Sequence, residues 1–382
     1  MSSSQSLEIK KHFRGLKDPR RRHCRRHLLL DIVVIAICAV TGGAENWEEI
    51  AAFGRRHQSW FRRYLSLPNG IPSPDTLTRV FSRLDPRVFQ TCLRDWLLAF
   101  SNVLQCEHIA IDGKTLCGSG RKTKGLGPLH LVSAWASANH LILGQVAVEG
   151  KSNEITAIPQ LLALLEVKGA VVTIDAMGCQ KEIAAKIRER RCHYVLAVKD
   201  NQPNLLQDIQ ESFVRGHESD FADIRHDSYE TKTMNGHGRE EKRYCEVIYD
   251  LSGIRNKEAW KDLRAIGMCV TERTIHGETT GEVRYFIGSQ KKSARYYGMV
   301  FRKHWGIENS LHWQMDVSFG EDANRTADRT AAENLTLVRR AAQTLVKRDP
   351  QKGGIRCKRR QAGWDLKFLK ELLMRPARSA KV

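Results

Sequence analysis

The stretch IAIDGKTLCGS, residues 109–119, decides how the chain is read. Ile109, Ala110 and Ile111 run into Asp112, Gly113 follows, and Lys114 comes next. A short apolar run closed by glycine predicts a buried strand over residues 108–112. A carboxylate at the end of such a strand is costly to bury unless it is paired or bound to metal. The same arrangement recurs at residues 170–175, AVVTID, where an apolar run ends in Asp175. A third acid, Glu308, lies in a helical stretch much later. Each aspartate alone is also readable as a turn or N-cap residue. Taken together, two strand-borne aspartates and one helix-borne glutamate form a donor set that can hold two Mg²⁺ and drive phosphodiester chemistry.

Composition narrows the partners. The chain has 382 residues and a formal net charge of +19, with a pI near 9.6. The excess is clustered, which favours an extended polyanion as partner over a scattered, solvated surface. The ten cysteines form no C-x-x-C pair, so no zinc ribbon or dithiol motif is present. Their scatter through apolar runs fits a reducing, cytoplasmic setting. Residues 28–40 are the one apolar stretch resembling a leader or membrane segment. Asp31 interrupts it and it is too short to span a bilayer, so it is expected as a buried helix.

Around the central stretch the chain divides into five parts. Residues 1–105 combine a basic arm with amphipathic helices. Asn46 and Ser73 are expected to cap two of these helices, and residues 76–83 offer a helix-turn-helix reading. Residues 106–200 alternate strands and helices in the order β-β-β-α-β-α-β, which suits a mixed sheet with its first strand central. Residues 201–290 break that rhythm and read as a β-rich insertion, with strands near 241–249, 264–271 and 283–288. Residues 291–346 are mostly helical and contain Glu308. Residues 347–382 form a basic tail closed by a short helix.

In the helical stretch RKHWGIENSLHWQMDVSFGED, a regular helix would put His304, Glu308 and His312 on one face. At 1.5 Å rise per residue the two histidines would lie roughly 12 Å apart, too far to share one ion near Glu308. Trp305 and Trp313 flank this face. They are expected to pack against the sheet, with stacking on an unpaired base as the alternative.

These segments carry a resemblance. IAIDGKTL, LHLVSAW, KSNEI, TIDAMGCQ, YVLAVKDNQ, HGREEKR and HWGIENSLHWQMDVSFGEDANR are similar, in order and through almost the whole chain, to the ISAs-type (H repeat-associated) family of bacterial insertion-sequence transposases. The resemblance implies a DDE transposase with an α/β, ribonuclease-H-like mixed-sheet core, a β-rich insertion and an N-terminal helical DNA-binding domain. It implies catalytic and metal-ligating roles for Asp112, Asp175 and Glu308, with Mg²⁺ as cofactor and Mn²⁺ as a substitute. It also implies DNA strand cleavage and transfer at transposon ends, a homodimer on DNA, no membrane partner, and a bacterial cytoplasmic, nucleoid-associated location. A nuclease without strand transfer and an inactive or domesticated DNA-binding relative are the alternatives.

Further residues are expected to meet DNA. Lys114 and Lys199 each follow a strand near the proposed metals, where a scissile phosphate would sit. Asn201 and Gln202 have amides suited to base edges or sugar. In the insertion, His237, Arg239 and Arg243 are candidates. Arg239, Glu241 and Arg243 alternate onto one strand face, which reads equally as a salt-bridge ladder. Related groups carry a tyrosine, an arginine and a lysine around the helical glutamate at fixed spacing; here the position four before Glu308 is His304 and the position seven after it is Met315, so Arg302 and Arg325 are candidates for part of that work. The family's KTLRGS is KTLCGS in this chain, and Cys117 removes one phosphate contact.

Overall fold

The computed structural model describes residues 6–99, 108–120, 127–137, 140–148, 154–165, 168–235 and 239–374. Nine strands form one mixed sheet: β1 (His108–Leu116), β2 (Leu129–Ala136), β3 (Leu141–Val148), β4 (Val171–Ile174), β5 (His193–Val198), β6 (His226–Asn235), β7 (Arg239–Ile248), β8 (Ala265–Ile275) and β9 (Glu278–Gly288). Their order across the sheet is β3-β2-β1-β4-β5-β9-β8-β7-β6. β1, β4 and β5 run parallel, flanked by the antiparallel β2–β3 pair on one side and by β9 on the other. The four residues of β4, VVTI, are all buried, as expected of a strand covered on both faces.

One expectation is corrected here. β1 does not stop at Asp112; it continues through Leu116, with Gly113 paired to Val132. Gly113 is there for close approach rather than for a break. A Cβ on it would come within 2.4 Å of Glu154 Oε1 and 2.6 Å of His130 Nε2. The β-rich stretch within residues 201–290 joins the core sheet. Its strand β9 pairs with β5 (Val195 to Gly288, Val198 to Tyr285), so the meander β6–β9 widens the same sheet. β6 (HDSYETKTMN) was not anticipated, because its polar alternation belongs to an edge strand without a continuous apolar face.

Helices cover the sheet. α7 (Glu154–Ala163) and α8 (Lys181–Glu189) connect β3, β4 and β5 and pack on one another and on the sheet. α9 (Pro203–Glu218) precedes β6. α10 (Ala294–His304) lies against β1, β4, β6 and β7. A π-helical turn, Glu308–His312, and α11 (Trp313–Phe319) follow it. α12 (Arg329–Lys347) is the central strut and is buried along almost its whole length.

The N-terminal helices α1 (Ser6–His12), α2 (Leu29–Thr41), α3 (Trp47–Arg56), α4 (Gln58–Phe61), α5 (Pro74–Phe81) and α6 (Pro86–Ala99) gather on α12, with α2, α5 and α6 in direct contact. α2 is the apolar stretch 28–40 and is buried as expected, with Asp31 accepting the Leu67 N–H at 2.9 Å. Asn46 and Ser73 cap α3 and α5 through the N–H groups of Glu49 and Thr76.

The basic stretch after residue 347 folds back onto the body as α13 (Ile355–Trp364) and α14 (Leu366–Met374). Arg359 is buried. It donates to the Val40 carbonyl at 2.9 Å, the Ala44 carbonyl at 3.2 Å and the Ser318 carbonyl. Its guanidinium thus satisfies carbonyls that the end of α2 leaves open. The expectation of a separate basic tail is therefore corrected for residues 355–374. Among the described residues, no helix is long and apolar enough to cross a membrane.

Candidate active site

The parallel pairing of β1 and β4 brings the two aspartates side by side. Ile111 pairs with Ile174, and Asp112 and Asp175 are the next residue on each chain. Asp175 opens a short 3₁₀ turn, Ala176–Gly178, in which a Cβ on Gly178 would meet Ile174 Cγ2 at 2.2 Å. Glu308 arrives from the far end of the sequence on the π-helical turn, whose apolar side, Ile307 and Leu311, is locked in the core. π turns of this kind are frequent at functional sites, because one wide turn re-aims side chains without ending the helix.

Asp112, Glu308 and His312 each offer one ligand atom, and these three atoms lie within 4.8 Å of one another. Asp175 is outside that cluster but close enough for its charge to be felt. Burial raises the Asp175 carboxyl, the negative charges of Asp112 and Glu154 raise it further, and the N–H groups of Gly178 and Met177 oppose them. Burial also works to raise Asp112. The neighbouring His312, the more distant His304 and the Gly113 N–H together hold it below the usual carboxylate range. Acids crowded in this way with oxygen and nitrogen donors fit a divalent cation.

The two histidines that a regular helix would align take different routes. His304 is buried and its Nδ1 lies 2.9 Å from Thr173 Oγ1, which in turn lies 2.9 Å from His108 Nε2. His108 Nδ1 continues the chain to Ser137 Oγ at 2.9 Å. Burial pushes His304 down to about 4 and His108 to about 3, so both rings are neutral. His312 points instead to Asp112, with Nε2 3.4 Å from Oδ2.

Several residues expected to meet DNA are engaged within the protein. Lys114 is only 8 % exposed and reaches across from β1 to the helices. Its Nζ pairs with Asp316, lies 3.1 Å from Glu321 Oε2 and donates to the His312 carbonyl at 3.3 Å. It fastens the π turn to the acid-bearing strand. Asn201 donates to the Ala176 carbonyl at 2.7 Å, and Gln202 donates to the Cys179 carbonyl at 2.9 Å. Both amides brace the turn behind Asp175. Arg243 is paired with Glu241 at 2.6 Å, and Arg273 lies opposite at 3.5 Å from the same carboxylate, which is the salt-bridge ladder. Lys199, just past β5, Arg302 on α10 and Arg325 in the loop before α12 are exposed. Arg239 opens β7, but its side chain, like His237 as a whole, lies outside the described residues.

Trp305 and Trp313 are not buried against the sheet; they are 41 % and 53 % exposed. The Arg284 guanidinium sits 3.9 Å above the Trp305 ring. Cys117 is exposed, and the neighbouring Gly118 docks so closely on residues 322–324 that a Cβ would come within 2.3 Å of the Asn324 carbonyl.

Three residues of this neighbourhood were not singled out as site residues from sequence. His312 was set aside by regular-helix geometry. His130 and Glu154 form a buried pair, 2.6 Å apart, directly behind Gly113. Their signal was a histidine inside the apolar run LHLVSAW and an acid opening a helix in KSNEI.

Comparison with known proteins gives a consistent picture. The family described as "Transposase DDE domain" matches residues 105–345, and "DDE_Tnp_1-associated" matches residues 10–97. "H repeat-associated putative transposase YhhI" of Escherichia coli K12 is 38% identical over 378 residues, covering 96% of this chain and 98% of its own. "Putative transposase YncI" of Escherichia coli O157:H7 is 37% identical over 373 residues, covering 94% and 92%. Among solved structures, a piggyBac transposase synaptic complex with hairpin DNA aligns with a TM-score of 0.41 and 10% identity, over 100% of this chain and 80% of that one. On the strength of the domain match and of relatives alike over nearly their full length, the chain belongs to the DDE transposases, among the H repeat-associated members of that family.

Proposed function

We propose that the protein binds the ends of an insertion sequence and cleaves and transfers DNA strands at a site made by Asp112, Asp175 and Glu308, on a ribonuclease-H-like core. The observation that carries this reading is the convergence of Asp112 and Glu308, 196 positions apart in the chain, on one ligand cluster beside Asp175. The strand order β3-β2-β1-β4-β5, with the first acid on β1 and the second at the end of β4, supports the same core.

When bound, divalent cations supply activation of a water and stabilisation of the leaving 3′ oxygen in an in-line displacement. The protein's own groups do the positioning. Asp112, held ionised by its surroundings, is the fixed anion of the site. Glu308, exposed on its turn, faces the side from which DNA arrives. Asn201 and Gln202 keep the Asp175 turn in place. Lys199 is the basic residue suited to the scissile phosphate. Mg²⁺ is the proposed physiological ion, with Mn²⁺ as a substitute. The DNA partner is double-stranded, met as a homodimer that pairs two ends.

The test uses the full chain and a labelled duplex spanning the end of its own element and its flank. With Mg²⁺ a nick at the element boundary is expected, and EDTA removes it. Adding an unlabelled target duplex should give a joined product. Nicking without joining would reduce the function to a nuclease. Binding without any nick would leave an inactive end-binding protein.

A further inference from the structure

We infer that His312 is itself a metal ligand, so that the first cation is held by two carboxylates and one imidazole rather than by acids alone. This rests on the proposed metal-dependent reading of Asp112 and Glu308 and goes beyond it.

Three observations carry it. The His312 ring is 3 % exposed, yet among the described residues Nδ1 has no hydrogen-bond partner and Nε2 faces only the Asp112 carboxylate, at a long 3.4 Å. A buried imidazole nitrogen without a partner is uncommon and calls for an explanation. Nε2 points at Asp112 Oδ2 from 3.4 Å, and a ligand atom of His312 lies within 4.8 Å of ligand atoms of both Asp112 and Glu308. The ring is held there rather than drifting there: the turn that carries it is fastened by Lys114 Nζ on the His312 carbonyl and by the buried Leu311. The alternative employment, a hydrogen-bonded core histidine, is filled nearby by His304 on Thr173.

The chemistry follows from the donor set. One imidazole nitrogen beside two carboxylate oxygens makes the site more tolerant of first-row divalent ions, Mn²⁺ among them, than of Mg²⁺, which prefers oxygen and water. The ligand class is therefore a single divalent transition-metal or Mg²⁺ ion, bound more tightly when it accepts nitrogen.

The test is pulsed electron paramagnetic resonance on the full chain loaded with Mn²⁺. Echo-envelope modulation from a directly bound ¹⁴N is expected in the wild type, and ¹⁵N-histidine labelling should change it. His312→Gln should abolish the modulation and weaken Mn²⁺ binding at least about ten-fold. His304→Gln, which removes a neighbouring buried ring, should keep the modulation. Mn²⁺ binding without nitrogen modulation in the wild type would overturn the ligand role of His312 while leaving the carboxylate site standing. Absence of any Mn²⁺ binding by the wild type, and equally by Asp112→Asn, would overturn both. Because the decisive spectra are those of the wild type, a poorly folding variant does not protect the inference.

Discussion

Lys114 on β1 and Arg243 on β7 are basic residues on strands of one sheet, and each pairs with a glutamate. Lys114 is 8 % exposed and its partner Glu321 is fully buried, whereas Arg243 is 29 % exposed beside a Glu241 that is itself buried. The Lys114 ammonium joins β1 to α11 and to the loop beyond it, binding elements about two hundred residues apart in sequence. The Arg243 guanidinium pairs with Glu241, two residues along its own strand. At the acid-bearing end of the sheet, charge is desolvated and fixes geometry. In the widened end, β6–β9, a buried Glu241 carboxylate is shared by two more exposed guanidiniums, Arg243 and Arg273, so neither cation is indispensable to it. A buried charge left without its partner is strongly destabilising, while an exposed pair contributes little. The first arrangement suits a site that must hold acids in place, and the second suits a surface that trades protein carboxylates for phosphates.

The largest expected effect is on chemistry. Asp175→Ala should lower nicking of an element-end duplex by at least about a thousand-fold while leaving end binding close to wild type in a mobility-shift titration. Equal loss of binding would mean that the acid-bearing end also carries the DNA grip, and the contrast between the two regions would fail.

Next comes stability. Lys114→Met strands Glu321 and Asp316 and should cost about 3–5 kcal/mol in urea unfolding, whereas Arg243→Met, which leaves the Glu241 carboxylate paired with Arg273, should cost about 1–2 kcal/mol. Similar costs for the two would erase the distinction.

The third effect is pH dependence. His108 and His304 are held below the ordinary histidine value, at about 3 and about 4, by burial. A ring whose folded value lies below its unfolded one contributes its full stability above about pH 6.5 and loses it as pH falls toward the folded value. Each therefore should remove about 1.4 kcal/mol per pH unit between about 6.5 and 4. Urea titrations at pH 7, 6 and 5 should show this slope, and His108→Gln should flatten it. A flat wild-type profile would contradict the buried neutral chain through Thr173.

The smallest effect belongs to the widened end. Arg243→Ala should weaken end binding a few-fold and reduce the slope of log affinity against log salt by about one. Unchanged affinity and slope would leave Arg243 as a ladder residue only.

How much of this was legible in the sequence follows from the same contrast. β4 and α2 announce themselves by unbroken apolar runs, and Asp112, Asp175 and Glu308 by their position against such runs. The full length of β1 was hidden, because Gly113 looks like a stop until Glu154 and His130 are seen against it. The place of His312 was hidden by assuming a regular helix, and a π turn is a tertiary compromise with no local signature. Lys114, Asn201 and Gln202 were read as residues for DNA, and Arg359 lay within the stretch read as a basic tail. Their protein partners are distant in sequence, and a basic or amide side chain carries no mark of which it will find.

One measurement bears most directly on the claim that acids from β1 and from the π turn make a single metal-dependent site. Wild type, Asp112→Asn and Glu308→Gln would be compared side by side on the labelled element-end duplex with Mg²⁺ and with Mn²⁺. The account predicts a boundary nick by wild type alone, in either ion, with both variants still shifting the duplex. Nicking by either variant at the wild-type rate would contradict it.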